Sequence, residues 1–417
     1  MPTRSTDSNR APLMAVAVVH HHFPPSHNPS LKPSPLIRRR RLLSFPHSSS
    51  HRPHPQSPIL NLMAGRTSAA LQSLVEEVSA TISSGAPPIP ALAGLGGALF
   101  LRNRSGDCLA VVKPFNAGET GVREAAAYLL DHAAFAGVPP TALIQISHPP
   151  TNLLASIQRF VPHEFDAGDL GPSRFSVASV HRIGILDIRL LNTDRHAGNL
   201  LVQKQSVDKN RTFDGAELAT ELVPIDHGLC LPELLEDPYF EWLHWPQAAV
   251  PFSGEEIQYV SKIDPFKDAE LLRAELPSIR EPAIRILILC TIFLKKAVDF
   301  GLCLSEIGGM MTREFCRMEE GESFLESLCT KAEESIGAES ELGEEDDVKE
   351  YQELCEKPLD LNCHGAGVER SKMISFKDKN EEQWMLFLER FEQILTEVFE
   401  VMKKVEVKLK PGSPCNI

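Results

Sequence analysis

Between residues 177 and 228 the chain fixes an order of elements that few folds accommodate. An apolar run at helical spacing, Val177–Leu191, leads into a polar loop that carries Asp194 and, five residues later, Asn199. Short apolar runs follow at Leu200–Val202 and Leu222–Ile225, with a polar insertion at Lys204–Glu217 between them. The second run ends on Asp226-His227-Gly228. Helical periodicity predicts a helix over 177–191, and the two short runs predict strands. The pattern therefore reads helix, loop, strand, strand, with a carboxylate in the loop, a carboxamide at its end and a second carboxylate after the last strand.

Those residue types suit one kind of chemistry. A hydroxyl is a poor nucleophile at neutral pH, and a carboxylate within hydrogen-bond reach orients it and accepts its proton. Asp194 is the candidate for that base. An amide oxygen and a carboxylate are hard donors suited to Mg²⁺, which keeps waters and takes its other ligands from phosphate. Asn199 and Asp226 are the candidate metal ligands, and Asp226 also belongs to the nucleotide site. A lone aspartate or asparagine in a loop is more often a turn residue; the whole pattern, rather than any member, carries the assignment. Upstream, the strand Leu109–Val112 delivers Lys113, whose compact positive charge suits nucleotide phosphates. Glu124, on the next helix, is its candidate partner. Gly94-Leu-Gly-Gly97 precedes the first strand, and Gly94, Gly96 and Gly97 would let backbone N–H groups approach phosphates closely.

Read together, these residues resemble a phosphoryl-transfer site in which the base precedes Arg and His, and the metal aspartate is followed by His-Gly. The order Asp194-Arg195-His196 with Asp226-His227-Gly228 resembles the phosphatidylinositol 3/4-kinase superfamily. With Phe240-Glu-Trp-Leu-His-Trp-Pro-Gln247 and Ile307-Gly-Gly-Met-Met311 the chain is similar to the plant phosphatidylinositol 4-kinase gamma group, related to the type II enzymes. The resemblance covers roughly Ala91 to Ser335. It implies an α+β, two-lobed kinase-like fold, with a small mixed N-lobe, a mostly helical C-lobe and a nucleotide cleft between them. It implies ATP and Mg²⁺ as cofactors. Arg195 and His196 join Asp194 in the catalytic set, with His196 either meeting the transferring phosphate or bracing the loop. Lys113 matches the family's Phe-Lys-Pro motif, except that Val112 stands where the phenylalanine would be. Gln158, Arg159, Phe160 and Val161 resemble the hinge whose backbone binds the adenine edge. Trp242 and Trp245 are read either as facing a membrane or headgroup, or as core. The ubiquitin-like modules that often precede this kinase domain are not expected ahead of it.

Charge separates the ends from the body. Residues 1–75 carry nine Lys/Arg and one acid, about +8, within a chain whose formal net charge is −14. The acidic body excludes bulk-charge binding of nucleic acid, while a basic tail fits contact with anionic lipid. Residues 1–65, rich in Pro, Ser, His and Arg, are expected to be disordered. Being Arg- and Ser-containing and acid-poor, they also match a transit peptide loosely, so organelle targeting stays open beside a cytoplasmic, peripherally membrane-associated location. The nine cysteines are scattered singly without a Cys-x-x-Cys pair, which points to a reducing compartment and no zinc framework. The longest apolar run, Ile286–Leu294, is too short to span a bilayer.

The expected organisation is a basic tail over 1–65, a catalytic domain over 88–335, an acidic linker over 336–379 and an amphipathic helix over 380–404. On that helix Trp384, Phe387, Leu388, Phe391, Leu395, Val398 and Met402 form one stripe. A helix is also expected at Thr67–Ser83, and Arg285–Phe300 is expected in the core. The expected activity is ATP-dependent phosphorylation of phosphatidylinositol at the inositol 4-hydroxyl, on a membrane surface. The same base, lysine and metal ligands would serve a serine/threonine protein kinase acting on protein substrates, and a non-catalytic nucleotide-binding scaffold is the third reading.

Overall fold

The computed structural model describes residues 59–65, 68–84, 89–90, 98–115, 120–148, 151–203, 220–313, 315–316, 319–338 and 374–409. All belong to the compact unit Arg52–Ile417. Most of the basic tail, the glycines at 94, 96 and 97, the insertion at 204–217 and most of the acidic linker lie outside the described residues.

Strands come first. β1 (Ile59–Leu62), β2 (Ile89–Pro90), β3 (Leu99–Arg102), β4 (Cys108–Phe115), β5 (Thr141–His148) and β6 (Thr151–Arg159) form an antiparallel sheet in the order β1-β5-β6-β4-β3-β2. The β3–β4 turn closes where Asn103 N donates to Asp107 O at 2.9 Å. Side chains alternate across the pleat and give the sheet two working faces. Ala110, Val112, Ala142, Ile144, Ala155 and Ile157 turn one way and pack under Leu71, Leu74 and Val78 of α1 (Ala69–Ser83). Lys113 and Ser156, directly paired across β4 and β6, lie with Leu143 on the side of α2 (Thr120–Leu130). α2 begins at Thr120 and carries Glu124 in its second turn. It stops at Asp131, whose carboxylate turns back to accept from Ala136 N at 2.8 Å and Val138 N at 2.9 Å.

Two expectations are corrected at this end. Ile59–Leu62, within the stretch expected to be disordered, pairs with β5 through the register Ile59↔Ser147 to Leu62↔Ile144. The folded unit also extends ahead of residue 88, because α1 covers the apolar face of the sheet.

The rest is mostly helical. α3 (Val177–Arg189) runs into the loop carrying Asp194, and the small sheet β7 (Phe165–Asp166), β8 (Leu200–Gln203), β9 (Glu221–Pro224) closes beside it. α4 (Gly254–Lys262), α5 (Pro265–Glu275), α6 (Glu281–Phe300), α7 (Leu304–Met311), the hairpin β10 (Phe315–Cys316) and β11 (Glu319–Glu320), α8 (Phe324–Ala338) and α9 (Glu381–Leu409) follow. α6 is buried nearly throughout from Pro282 to Leu294 and ends on Gly301, whose φ of 101° is the left-handed conformation glycine adopts freely. α9 carries the expected aromatic stripe: Trp384, Phe387, Phe391 and Leu395 enter the same core as α6 and α8. The C-terminal helix is therefore part of the folded unit. Among the described residues no helix is long and apolar enough to cross a membrane.

Candidate active site

The sheet and α2 build the positive end of the site. Lys113 Nζ lies 2.5 Å from Glu124 Oε1, and Ser156 Oγ donates to Glu124 Oε2 at 2.7 Å. Both oxygens of this buried carboxylate are thus engaged, as a desolvated charge requires. The same ammonium reaches Asp226 Oδ1 at 2.8 Å. Burial opposes the charge on Lys113, but Glu124 and Asp226 outweigh it and hold the ammonium above the ordinary lysine range. Asp226 is half exposed and sits at φ 54°, so its carboxylate leaves the end of β9 in a direction extended backbone would not give it.

The loop after α3 is fixed from beneath. Leu191 enters the left-handed region at φ 43°, and Asn192 then folds back onto Asp187 of α3, donating Nδ2 to Oδ1 at 2.9 Å. Asn192 Oδ1 accepts from Asp194 N at 3.0 Å, which sets the Asp194 backbone. Asn199 Nδ2 donates to Asp194 O at 2.9 Å. That bond orients the amide and leaves its oxygen free of this contact. The Asp194 carboxylate is 42% exposed, with His196 Nε2 4.0 Å away.

Arg195 departs from its expected role. Its side chain is fully buried and turned away from solvent. Nε lies 3.0 Å from both oxygens of Asp187, while Nη1 donates to Asn199 O at 2.8 Å and to Ile225 O at 2.9 Å. Asp187 also accepts from Trp242 Nε1 at 3.0 Å. Arg195 is a brace that ties the Asn199 backbone to the strand end preceding Asp226. His196 is 48% exposed, and its Nδ1 accepts from Gly198 N at 3.1 Å, so it both caps the short turn and reaches the surface. Trp242 and Trp245 are 0% and 8% exposed and belong to the core, Trp242 stacked on Phe240 and Trp245 tilted against Phe175. Among the large apolar side chains between Gly228 and Pro251, Leu229, Tyr239 and Val250 are exposed, at 47%, 51% and 39%.

Gln158–Val161 lies where β6 leaves the large sheet for the rest of the fold. Gln158 and Arg159 spend their side chains on that sheet's own neighbours: Gln158 Nε2 donates to Thr141 Oγ1 at 2.9 Å, and Arg159 forks onto Glu77 of α1 at 3.1 and 2.7 Å. Phe160 N donates to Leu109 O at 3.0 Å. Among the described residues no cluster of three or more His, Cys, Asp or Glu side chains is arranged to hold a metal, so a cation here would depend on the carboxamide–carboxylate pair.

Known sequences resemble this chain. The family described as phosphatidylinositol 3- and 4-kinase matches residues 116–307, which include Glu124, Asp194, Asn199 and Asp226. Phosphatidylinositol 4-kinase gamma 8 of Arabidopsis thaliana is 50% identical over 343 residues, covering 74% of this chain and 64% of that protein. The chain belongs to the phosphatidylinositol 3- and 4-kinase family. Two further Arabidopsis relatives agree. Phosphatidylinositol 4-kinase gamma 1 is 51% identical over 67% of this chain and 56% of its own length, and gamma 7 is 43% identical over 83% and 60%. The chain therefore spans a little over half of the length of these phosphatidylinositol kinase relatives.

Three residues of the site carry no sequence expectation: Asp187, Asn192 and Ser156. Asp187 offered a usable signal, because a lone carboxylate among Ile185, Leu186 and Ile188 on an apolar helix is almost never buried unpaired. Ser156 and Asn192 offered none, since their roles depend on the cross-strand register with Lys113 and on the backbone reversal at Leu191.

Proposed function

We propose that this chain transfers the terminal phosphoryl group of ATP to the 4-hydroxyl of phosphatidylinositol, giving phosphatidylinositol 4-phosphate at a membrane surface. The observation that carries the reading is the convergence of Lys113, Glu124 and Asp226 from three separated segments beside the loop that holds Asp194 and Asn199. The names of the Arabidopsis relatives supply the lipid and the hydroxyl. Catalysis of this kind is chiefly positioning and charge stabilisation.

Each residue then has a distinct task. Lys113, held by Glu124, presents its ammonium to the nucleotide phosphates. The adenine edge would meet the Phe160 carbonyl and the Val161 N–H, and Gly94, Gly96 and Gly97 are proposed to cover the phosphates. Asp194 accepts the proton of the attacking hydroxyl. The donor set fits Mg²⁺: a half-exposed carboxylate at Asp226 and an oriented amide oxygen at Asn199, both hard oxygen donors. When bound, Mg²⁺ would neutralise phosphate charge. Leu229 and Tyr239, whose backbone carbonyls accept from Thr193 and Arg195 on either side of Asp194, are proposed to face the lipid, while the two tryptophans follow the core reading. The catalytic unit is proposed to centre on 88–335, acting from the cytoplasm with peripheral membrane contact and no nucleic acid partner.

The test is purified protein with Mg²⁺, labelled ATP and mixed vesicles, read by thin-layer chromatography. Label is expected on phosphatidylinositol. Asp226→Ala should abolish transfer, and Asp194→Asn should lower turnover at least ~10²-fold, the low end for general-base catalysis. Label on added protein but never on lipid, with vesicle binding confirmed, would replace this reading with that of a protein kinase.

A further inference from the structure

The helix that carries Glu124 is anchored at its far end by charges that take no part in the chemistry. Asp268 of α5 is buried; its Oδ2 accepts from Arg189 Nη2 at 2.6 Å and its Oδ1 lies 2.7 Å from His132 Nε2. Arg189 Nη1 donates to Leu130 O, the last carbonyl of α2, at 3.0 Å. Arg189 closes α3, the helix that delivers the Asp194 loop. Beyond the helix end, Phe135 stacks on Tyr259 of α4 with ring centres 3.6 Å apart, and Arg182 of α3 lies over the Phe135 ring. One buried pair thus touches both the helix that carries Glu124 and the helix that leads into the Asp194 loop.

We infer that Asp268, Arg189 and His132 are positioning residues that hold Glu124 against Lys113 by locking the C-terminal end of α2 to α3 and α5. Packing alone does not require charges here, because apolar side chains of similar volume commonly serve a buried site as well or better. Directional bonds to Leu130 O and to both Asp268 oxygens fix the orientation of α2, which apolar contact would leave softer. The lever is short. Glu124 lies six residues before Leu130, about 9 Å along the axis at the helical rise per residue. A tilt of ~10° about the anchored end would move Glu124 by about 1.5 Å on that lever, enough to open a bond of hydrogen-bond length. On this inference the Lys113–Glu124 pair is assembled by the fold itself, so no activating modification is needed to bring α2 into place.

The kinetic arm rests on the proposed ATP-dependent activity, and the exchange arm does not. In the full chain, His132→Ala removes the exposed member of the cluster and spares the buried pair; His132→Gln keeps a donor toward Asp268; Asp268→Asn keeps the shape and removes the charge. His132→Ala is expected to lower kcat/KM for ATP about tenfold, the equivalent of one charge-assisted hydrogen bond, with little change in melting temperature. His132→Gln should restore most of it. Asp268→Asn should cost more and should speed amide exchange over Val122–Leu130 while leaving α6 unchanged. Wild-type kcat/KM in a folded Asp268→Asn protein would overturn the inference. So would unchanged exchange in α2, whatever the activity. Should the wild-type protein transfer no phosphate to any acceptor, the proposed function falls; faster α2 exchange in Asp268→Asn then still supports the anchor, and unchanged exchange sinks it.

Discussion

Removing the Asp187 carboxylate should unfasten the site from its support. Asp187 is fully buried and accepts from three side chains: Arg195, Asn192 and Trp242. In Asp187→Ala the Arg195 guanidinium stays buried with no counter-charge. Breaking one half of a buried ion pair costs about 3–5 kcal/mol, because the stranded charge keeps its desolvation penalty. Trp242 and Asn192 also lose their acceptor. Against a typical domain stability of about 5–15 kcal/mol, the loss is severe without necessarily abolishing folding.

The double variant Asp187→Leu/Arg195→Met separates the causes. Both charges leave together, so most of the stability should return, and the two single costs should not add. Activity should not return, because Asn199 O and Ile225 O have lost the Arg195 Nη1 donor that holds them together. Urea unfolding followed by tryptophan fluorescence measures the first effect, and labelled-ATP turnover the second. A loss below ~1 kcal/mol in Asp187→Ala would refute the reasoning, since it lies under the cost of even one stranded charge. Full activity in the double variant would refute the assignment of Arg195 as the brace between Asn199 and the Asp226 strand.

Two other outcomes follow from features away from the site. Burial would raise the Glu326 carboxyl, yet Arg313 and the Ser323 N–H hold it below the ordinary value of 4.5; a depressed folded pKa gives stability that is present above 4.5 and lost as pH falls through the folded value. The urea midpoint gap between wild type and Glu326→Gln should therefore be widest near neutral pH and shrink below 4.5, and a gap that widens in acid would reverse the sign of this argument. Trp384→Ala, which empties a site packed by Phe376, Phe387 and Arg285, should destabilise by about 3–5 kcal/mol in thermal or urea melts; an unchanged midpoint would mean that α9 does not contribute to the core.

The sequence was most legible where one local pattern carried both structure and chemistry. The helix at 177–191, the strands around 200 and 223, and the placement of Asp194, Asn199 and Asp226 all follow from spacing within one segment, and the structure brings them together. Lys113 and Glu124 were legible as a pair because a strand end followed by a helix leaves few alternatives. Legibility failed where meaning came from distant partners. Ile59–Leu62 looks like the end of a Pro-rich tail until β5 supplies its hydrogen bonds. Arg195 follows Asp194 in sequence, but the buried Asp187 draws its side chain inward. Trp242 and Trp245 suit either a membrane interface or a core, and it is the Asp187 acceptor and the Phe175 ring that decide for the core.

Asp226 and His227 have a consequence for how this protein can be improved. Asp226 is held in the left-handed region, which costs a side-chain-bearing residue on the order of 1–3 kcal/mol. His227, beside it, is fully buried; burial, then the positive charges of Arg195 and Lys113, push its imidazole well below the usual histidine range. Among the described residues, neither ring nitrogen has a hydrogen-bond partner. A costly dipeptide therefore coincides with the proposed metal ligand, while the reserve that sustains it lies in α6 and its neighbours. Selection for heat resistance alone would favour replacing these two residues, by glycine or asparagine at 226 and an apolar side chain at 227. Thermostability and catalysis would then be enriched in opposite directions at this one point of the chain. A library screened on melting temperature would discard its working members first.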